Sequence, residues 1–173
     1  MPSFSATARS NKLPSANLGN ALAEAQFLGS DGLVLTCPLE GSIVLNNRTF
    51  RLRVAGRCGS GTTSNFTVAV YFGVSTTIGS NTKIATTAAT AMASANHNFL
   101  IDVTMNYDTA SNKVQGQYGG NIANGLITAA GLTNVLTSFS DVAEGQGFTV
   151  TGLFGSTNAS NQAIIDTFEL IPD

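Results

Sequence analysis

The sequence predicts an all-β domain: a two-sheet antiparallel sandwich with jelly-roll-like winding and an extended N-terminal arm. Short apolar runs alternate with polar residues at a period of two, which is typical of half-buried strands. Gly, Ser and Asn turns separate these runs. No stretch has the pattern of a long helix, so the chain lacks the crossovers that parallel strands need. Antiparallel pairing in two stacked sheets is therefore favoured.

The composition predicts one domain that associates with other subunits. A chain of 173 residues with 43% hydrophobic residues can form a real core. Only 10% of the residues are charged, against roughly 25% in an average soluble domain. So few charges give a monomer little protection against association, which indicates that other subunits cover much of the surface. The net charge of −2 argues against nucleic-acid or membrane partners.

Residues 1–24 differ from the rest of the chain. They are rich in Ser, Ala and Asn, contain Pro2 and Pro14, and show no lasting period. We interpret them as an extended arm and residues 25–173 as the sandwich. The arm is either a disordered terminus or a segment that orders against a partner. No apolar run has the length of a signal peptide or a membrane helix, so we expect synthesis in the cytoplasm.

The strands are predicted from alternation and from the turns between them. Residues 49–57 show it best, with Phe50, Leu52 and Val54 on one face and arginines on the other. Residues 75–95 are predicted to be a crossover with one short strand, and residues 122–134 are less regular. The eight to ten candidates include 33–37, 42–45, 49–57, 65–74, 83–85, 99–105, 114–120, 135–142, 147–154 and 163–171.

The two cysteines, Cys37 and Cys58, are separated by twenty residues. A zinc site would need two more ligands nearby, which His97 alone cannot supply. A disulfide and a pair of buried free thiols both stay open, and the apolar surroundings favour free thiols.

Basic residues cluster on one predicted strand, which makes its polar face the candidate interface. Two interpretations compete: a solvated face whose arginines pair with Asp or Glu on neighbouring strands, or an interface stripe, since arginine binds carboxylates bidentately. The predicted interface residues are Arg48, Arg51, Arg53 and Arg57 on the strand, with Phe4, Arg9, Lys12 and Leu13 in the arm.

Residues that could support catalysis are scarce. His97 is the only histidine, and the chain has no Gly-x-Ser-x-Gly motif to supply a nucleophile. The pairs Asp102/Asp108 and Asp141/Glu144 could be proposed for glycoside hydrolysis, but spacing does not place either pair at the required separation. No Asp-rich calcium loop is present. We expect no enzymatic activity, no cofactor and no metal.

Four segments resemble virion structural proteins of tailed bacteriophages, above all jelly-roll capsid decoration (cement) proteins. They are residues 50–56, 63–67, 71–75 and 144–152. The resemblance implies a homotrimer on the outside of an icosahedral capsid, bound to the major capsid protein, and hence a location on the virion surface. It implies no catalytic residues. The alternative function is a receptor- or glycan-binding module of a phage tail or head fibre, and a hydrolase on the same scaffold is the third.

Overall fold

The computed structural model describes residues 8–10, 12–38, 49–60, 64–92, 97–108, 113–122, 125–135 and 147–172. These residues form twelve strands and one short 3-10 helix, Ile78–Ser80. The strands are β1 (Ala8–Arg9), β2 (Ala25–Gln26), β3 (Thr36–Pro38), β4 (Thr49–Gly59), β5 (Ser64–Phe72), β6 (Thr82–Thr86), β7 (Thr90–Met92), β8 (His97–Asp108), β9 (Lys113–Ile122), β10 (Gly125–Val135), β11 (Gly147–Phe154) and β12 (Gln162–Pro172).

The strands form two antiparallel sheets whose pairing is nested. The first sheet has the order β1-β12-β4-β8-β9-β10, and the second has the order β2-β11-β5-β6, with β3 also paired to β11 and β7 to β5. The outermost strands pair with each other, β1 with β12 and β2 with β11, and between them along the chain β4 pairs with β8 and β5 with β6 and β7. This is the winding of a jelly roll. The predicted all-β sandwich is confirmed, and β9 and β10 widen its first sheet.

Alternating inward side chains from both sheets form the core between them. Phe66 of the second sheet contacts Phe99 of the first, with ring centroids 6.1 Å apart. It also contacts Phe154 of its own sheet, with centroids 4.7 Å apart. Offset and tilted aromatic pairs of this kind stabilise a core beyond their buried area. The fully buried set also includes Phe27, Leu35, Phe50, Leu52, Met92, Ile101, Met105 and Phe168.

β12 contains a β-bulge at Asp166. In the pairing with β4, Ile165 and Thr167 lie opposite consecutive residues, so Asp166 between them has no register partner. The inward positions therefore change from odd to even numbers: Ile165 is buried before the bulge and Phe168 after it. A bulge is a common way to redirect one side chain of a strand.

Two glycines let β9 lie close to β8. A Cβ atom at Gly116 would overlap the carbonyl oxygen of Thr104, and one at Gly120 would overlap that of Leu100. Gly120 also has a φ of 147°, which favours glycine. Both glycines lie opposite core residues of β8, Met105 and Ile101, so the close approach is on the inner side of the sheet.

The N-terminal segment packs on the sandwich. The backbone N–H groups of Ser10, Ser15 and Leu18 donate hydrogen bonds to carbonyl oxygens of β12 at 2.9 to 3.0 Å, and Leu13 and Leu18 pack against the core. The change of composition at residue 24 therefore does not coincide with a break in packing. Of the predicted arm, residues 1–7 and 11 lie outside the described residues.

Both cysteines are buried and neither forms a disulfide, as the apolar surroundings predicted. Burial raises the pKa of Cys58 to about 12. At neutral pH this thiol is therefore protonated and acts as a small apolar side chain.

Two of the predicted elements differ from the structure. β10 occupies residues predicted to be less regular, because its small side chains and a register shift between Ile127 and Ala130 hide the alternation. β7 lies within the predicted crossover. The candidate strand 42–45 and residues 136–142 of another candidate lie outside the described residues.

Deleting residues 1–22 should lower the free energy of unfolding by about 3 kcal/mol or more, because two partly buried leucines and the backbone hydrogen bonds to β12 are removed. Denaturant unfolding of the truncated and full-length chains measures this difference. A chain lacking only residues 1–7 is the matched control, since it keeps every contact described above. Equal stability of the two truncated chains would contradict the docked segment.

Candidate interaction surface

The outer face of the first sheet carries three of the eight predicted interface residues, Arg51, Arg53 and Arg57. We define it as the half-buried or exposed positions that alternate with the core positions on β4, β8 and β9. Eight of its twelve members are uncharged, and Asp166 of the neighbouring β12 pairs with one of the arginines, so little net charge remains on the face. Its members are Arg51, Arg53, Ala55, Arg57, Asn98, Leu100, Asp102, Thr104, Asn106, Gln117, Gly119 and Asn121.

Charged residues of alternating sign form one row across four strands. Arg9 lies opposite Glu169, Glu169 opposite Arg53, and Arg53 opposite Asp102. Arg53 Nε donates a hydrogen bond to Asp102 Oδ1 at 3.2 Å. Opposite charges on directly opposed residues favour the pairing of their strands. About a third of each of these two side chains is exposed, so the pair stabilises the sheet only modestly.

The bulge supplies the partner of a second arginine. Arg57 Nε and Nη2 donate hydrogen bonds to the two carboxylate oxygens of Asp166 at 2.9 and 3.0 Å. This bidentate geometry is the strongest that an arginine and a carboxylate form. The hydrogen bonds and the charge of Asp166 raise the pKa of Arg57. Both Arg53 and Arg57 thus have acidic neighbours, which is the arrangement that the solvated-face interpretation predicts.

Arg51 differs from the other two arginines of the outer face. It is exposed, and its register neighbours are Thr104 on β8 and Ile171 on β12, neither of them charged. Among the residues that the structure describes, Arg51 has no hydrogen-bond or ion-pair partner. It lies beside a shallow depression of about 330 Å³, which is lined by Thr49, Thr104, Met105, Asn106, Gly116 and Gln117.

The predicted interface residues of the N-terminal segment have roles inside the domain where they are described. Lys12 Nζ lies 3.3 Å from Asp31 Oδ2, and Leu13 packs against the core. Arg9 is a residue of β1. Phe4 and Arg48 lie outside the described residues. A role for any of them at an interface stays a prediction.

The second sheet holds a different polar cluster, which the sequence patterns did not single out. Glu24 Oε1 accepts hydrogen bonds from the hydroxyls of Tyr71 at 2.8 Å and Thr151 at 2.7 Å. Glu24 Oε2 lies 3.0 Å from Lys83 Nζ, which lies over the Tyr71 ring, 5.2 Å from its centroid. One carboxylate therefore joins the segment before β2 to β5, β6 and β11.

These contacts lower the pKa of Glu24 and raise the pKa of Lys83. Burial by itself raises the pKa of Glu24, but the hydrogen bonds from Thr151, Tyr71 and Lys83, together with the Lys83 charge, lower it below its ordinary value. Burial lowers the pKa of Lys83, but its contacts with Tyr71 and Glu24 outweigh this and raise it. The pair is thus held ionised, as in a structural salt bridge.

Thr149 lies beside this cluster, opposite Tyr71 in the register of β11 and β5. Its side chain is fully buried, and its hydroxyl has no hydrogen-bond partner among the described residues. An unpaired buried hydroxyl lowers stability.

Where the structure describes the candidate catalytic residues, they do not converge. His97 begins β8, opposite Cys58, and Asp102 is paired with Arg53. The side chain of Asp108 lies outside the description, as do Asp141 and Glu144. Within the described ranges, no three His, Cys, Asp or Glu side chains are placed to hold a metal ion. The absence of catalysis and of a cofactor stays a prediction.

No helix among the described residues is both long enough and apolar enough to span a bilayer.

Comparison with known proteins leaves the family open. No family model matches the chain, and no curated protein matches it. Among solved structures, the chain is similar to arcelin-5, a lectin-like defense protein from Phaseolus vulgaris, with 8% identity, 99% of each chain covered and a TM-score of 0.43. Such a TM-score does not establish a common fold, so we base the jelly-roll assignment on the strand order.

Replacing Glu24 with Gln should reduce the loss of stability on acidification. Because the pKa of Glu24 is lowered in the folded state, its contribution is complete above the unfolded-state pKa and is lost as the pH falls through the folded-state pKa. We expect E24Q to be less stable at neutral pH by about 1 kcal/mol. Denaturant unfolding at neutral pH and at about pH 3 measures this, and an identical pH dependence would contradict the role of Glu24.

Replacing Thr149 with Val should stabilise the protein by about 1 kcal/mol, because the change removes an unpaired buried hydroxyl at nearly constant volume. Thr151→Val, two residues along the same strand, is the matched control, and it should destabilise because that hydroxyl bonds Glu24. Thermal and denaturant unfolding compare the two. Equal losses of stability would show that the Thr149 hydroxyl has a partner.

Proposed function

We propose that this chain is a structural protein of a phage virion that decorates and stabilises the capsid. In this proposal it binds, as an oligomer, to the outer surface of the shell formed by the major capsid protein, and it performs no catalysis. The observation that supports it best is the outer face of the first sheet, a broad and nearly neutral surface on a jelly-roll scaffold.

The neutrality of this face follows from pairing within the chain. Arg53 and Arg57 lie next to Asp102 and Asp166, so little net charge remains to repel another subunit. The small and amide side chains around them lose little conformational freedom when another surface covers them. Such a face favours extended contact with a neighbouring protein over capture of a highly charged ligand.

The same pairing argues against nucleic acid as the partner. Four of the eight basic residues, Lys12, Arg53, Arg57 and Lys83, have an acidic partner within the domain. Binding to a phosphate backbone needs a cluster of free cations.

The wide first sheet supports binding to a shell, because it offers a large surface for contact with the repeated subunits of a lattice. Strands β9 and β10 extend the first sheet beyond the strands that the nested pairing requires. When an oligomer meets a lattice, its weak contacts act together and give strong overall binding. The trimeric state comes from the resemblance to decoration proteins.

Jelly rolls also form lectin domains, so the fold does not decide between capsid decoration and glycan binding. The hydroxyl and amide groups around the depression beside Arg51 are compatible with a sugar. We therefore keep a glycan-binding fibre module as the second candidate.

The test combines mass in solution with binding to capsids prepared without this chain. Light scattering should give an oligomer, and sedimentation with capsids should saturate at a fixed stoichiometry and raise their resistance to heat. If the protein does not bind capsids but binds cells or glycans, the result would favour the glycan-binding fibre module.

Placing a charge on the outer face should weaken this binding. Asn121 is exposed on β9, and we expect Asn121→Glu to lower capsid affinity by about tenfold, because the charge must be desolvated without a partner. Asn65→Glu is the matched control, since Asn65 is equally exposed on β5 of the second sheet. Equal binding by both variants would remove the outer face from the proposal.

A further inference from the structure

We propose that Arg51 and the depression beside it bind an aspartate or glutamate side chain presented by the shell protein. This inference rests on the proposed function and names the chemistry of one contact within it. The partner group is a carboxylate on the other protein.

β4 places three arginines on the outer face, and among the described residues only Arg51 is available to bind a group from another protein. The carboxylate of Asp102 already engages Arg53, and that of Asp166 engages Arg57 through two hydrogen bonds. Arg51 is exposed and has no such partner in the described part of the chain. A planar guanidinium that is free on a neutral face is well suited to receive a carboxylate bidentately.

The depression next to Arg51 provides further hydrogen-bonding groups. Thr49 and Asn106 are directly opposite each other, and the next outward pair along the two strands is Arg51 and Thr104. Gln117 continues that row on β9. The side chains of Thr49, Thr104, Asn106 and Gln117 form no hydrogen bonds with other described residues, so their hydroxyl and amide donors can bond a carboxylate that Arg51 holds.

Among the five of ten acidic residues whose side chains the structure describes, the existing pairs favour the other protein over a second copy of this chain as the source of the carboxylate. The structure describes the side chains of five acidic residues: Glu24, Asp31, Asp102, Asp166 and Glu169. The first four are paired with Lys83, Lys12, Arg53 and Arg57, and Glu169 also has a partner. A copy of this chain could offer one of these carboxylates only by breaking its own contact.

The experiment measures sedimentation of wild type, Arg51→Gln, Arg51→Lys and Arg57→Lys with capsids prepared without this chain. Arg51→Gln should lower affinity by about 10- to 100-fold, the equivalent of a lost hydrogen-bonded charge. Arg51→Lys should retain part of the affinity, because it keeps the charge but loses the bidentate geometry. Arg57→Lys should change affinity little, since the lysine keeps a positive charge beside Asp166 and the face stays nearly neutral.

The salt dependence of capsid binding and the mass of the protein in solution are two further measurements. Added salt should weaken wild-type binding more than Arg51→Gln binding, because only wild type makes the ionic contact. Light scattering should give the same mass for wild type and Arg51→Gln, and thermal unfolding the same midpoint. A change in mass would place the carboxylate on a second copy and overturn the proposal.

The outcomes separate this inference from the function beneath it. If wild type does not bind capsids, the proposed function fails. If wild type and Arg51→Gln bind capsids equally, the proposed function stands and the role of Arg51 is overturned. A selective loss of binding to glucuronic acid, with capsid binding unchanged, would also overturn it in favour of an acidic sugar.

Discussion

The packing of the two sheets through Phe66 is the interaction on which the rest of the structure depends. Its ring lies between Phe99 of the first sheet and Phe154 of its own sheet. Because strand side chains alternate between two faces, burying the apolar face fixes the other face outward. The arginines of β4 are outward for this reason: Phe50, Leu52 and Val54 occupy the core positions between them.

The two outward faces then take different roles. On the first sheet, charged residues pair across strands and leave a nearly neutral surface, on which Arg51 has no partner among the described residues. On the second sheet, the carboxylate of Glu24 ties the N-terminal segment to three strands. Four basic and four acidic residues of the described part thus pair with one another, which leaves little net charge on the surface they occupy.

Irregularities in two strands decide where individual side chains point. The bulge at Asp166 places a carboxylate beside Arg57, although Asp166 has no register partner. The register shift between Ile127 and Ala130 has a similar effect on the pattern of β10. Both features break the period-two alternation from which strands are predicted, so the features that direct single side chains are also those that a sequence pattern conceals.

The sequence by itself determined the all-β class, the sandwich, most long strands and the core face of β4, because alternating burial is a local pattern that neighbouring residues express. That Cys37 and Cys58 are buried and form no disulfide also followed from their apolar surroundings. Only the tertiary structure decided which strands pair, that residues 8–10 and 12–18 pack along β12, and that Arg53 and Arg57 have partners while Arg51 has none among the described residues. Asp102 and Asp166 are 49 and 109 residues away from those arginines along the chain. Contacts over such separations depend on register and bulges, which composition and periodicity do not encode.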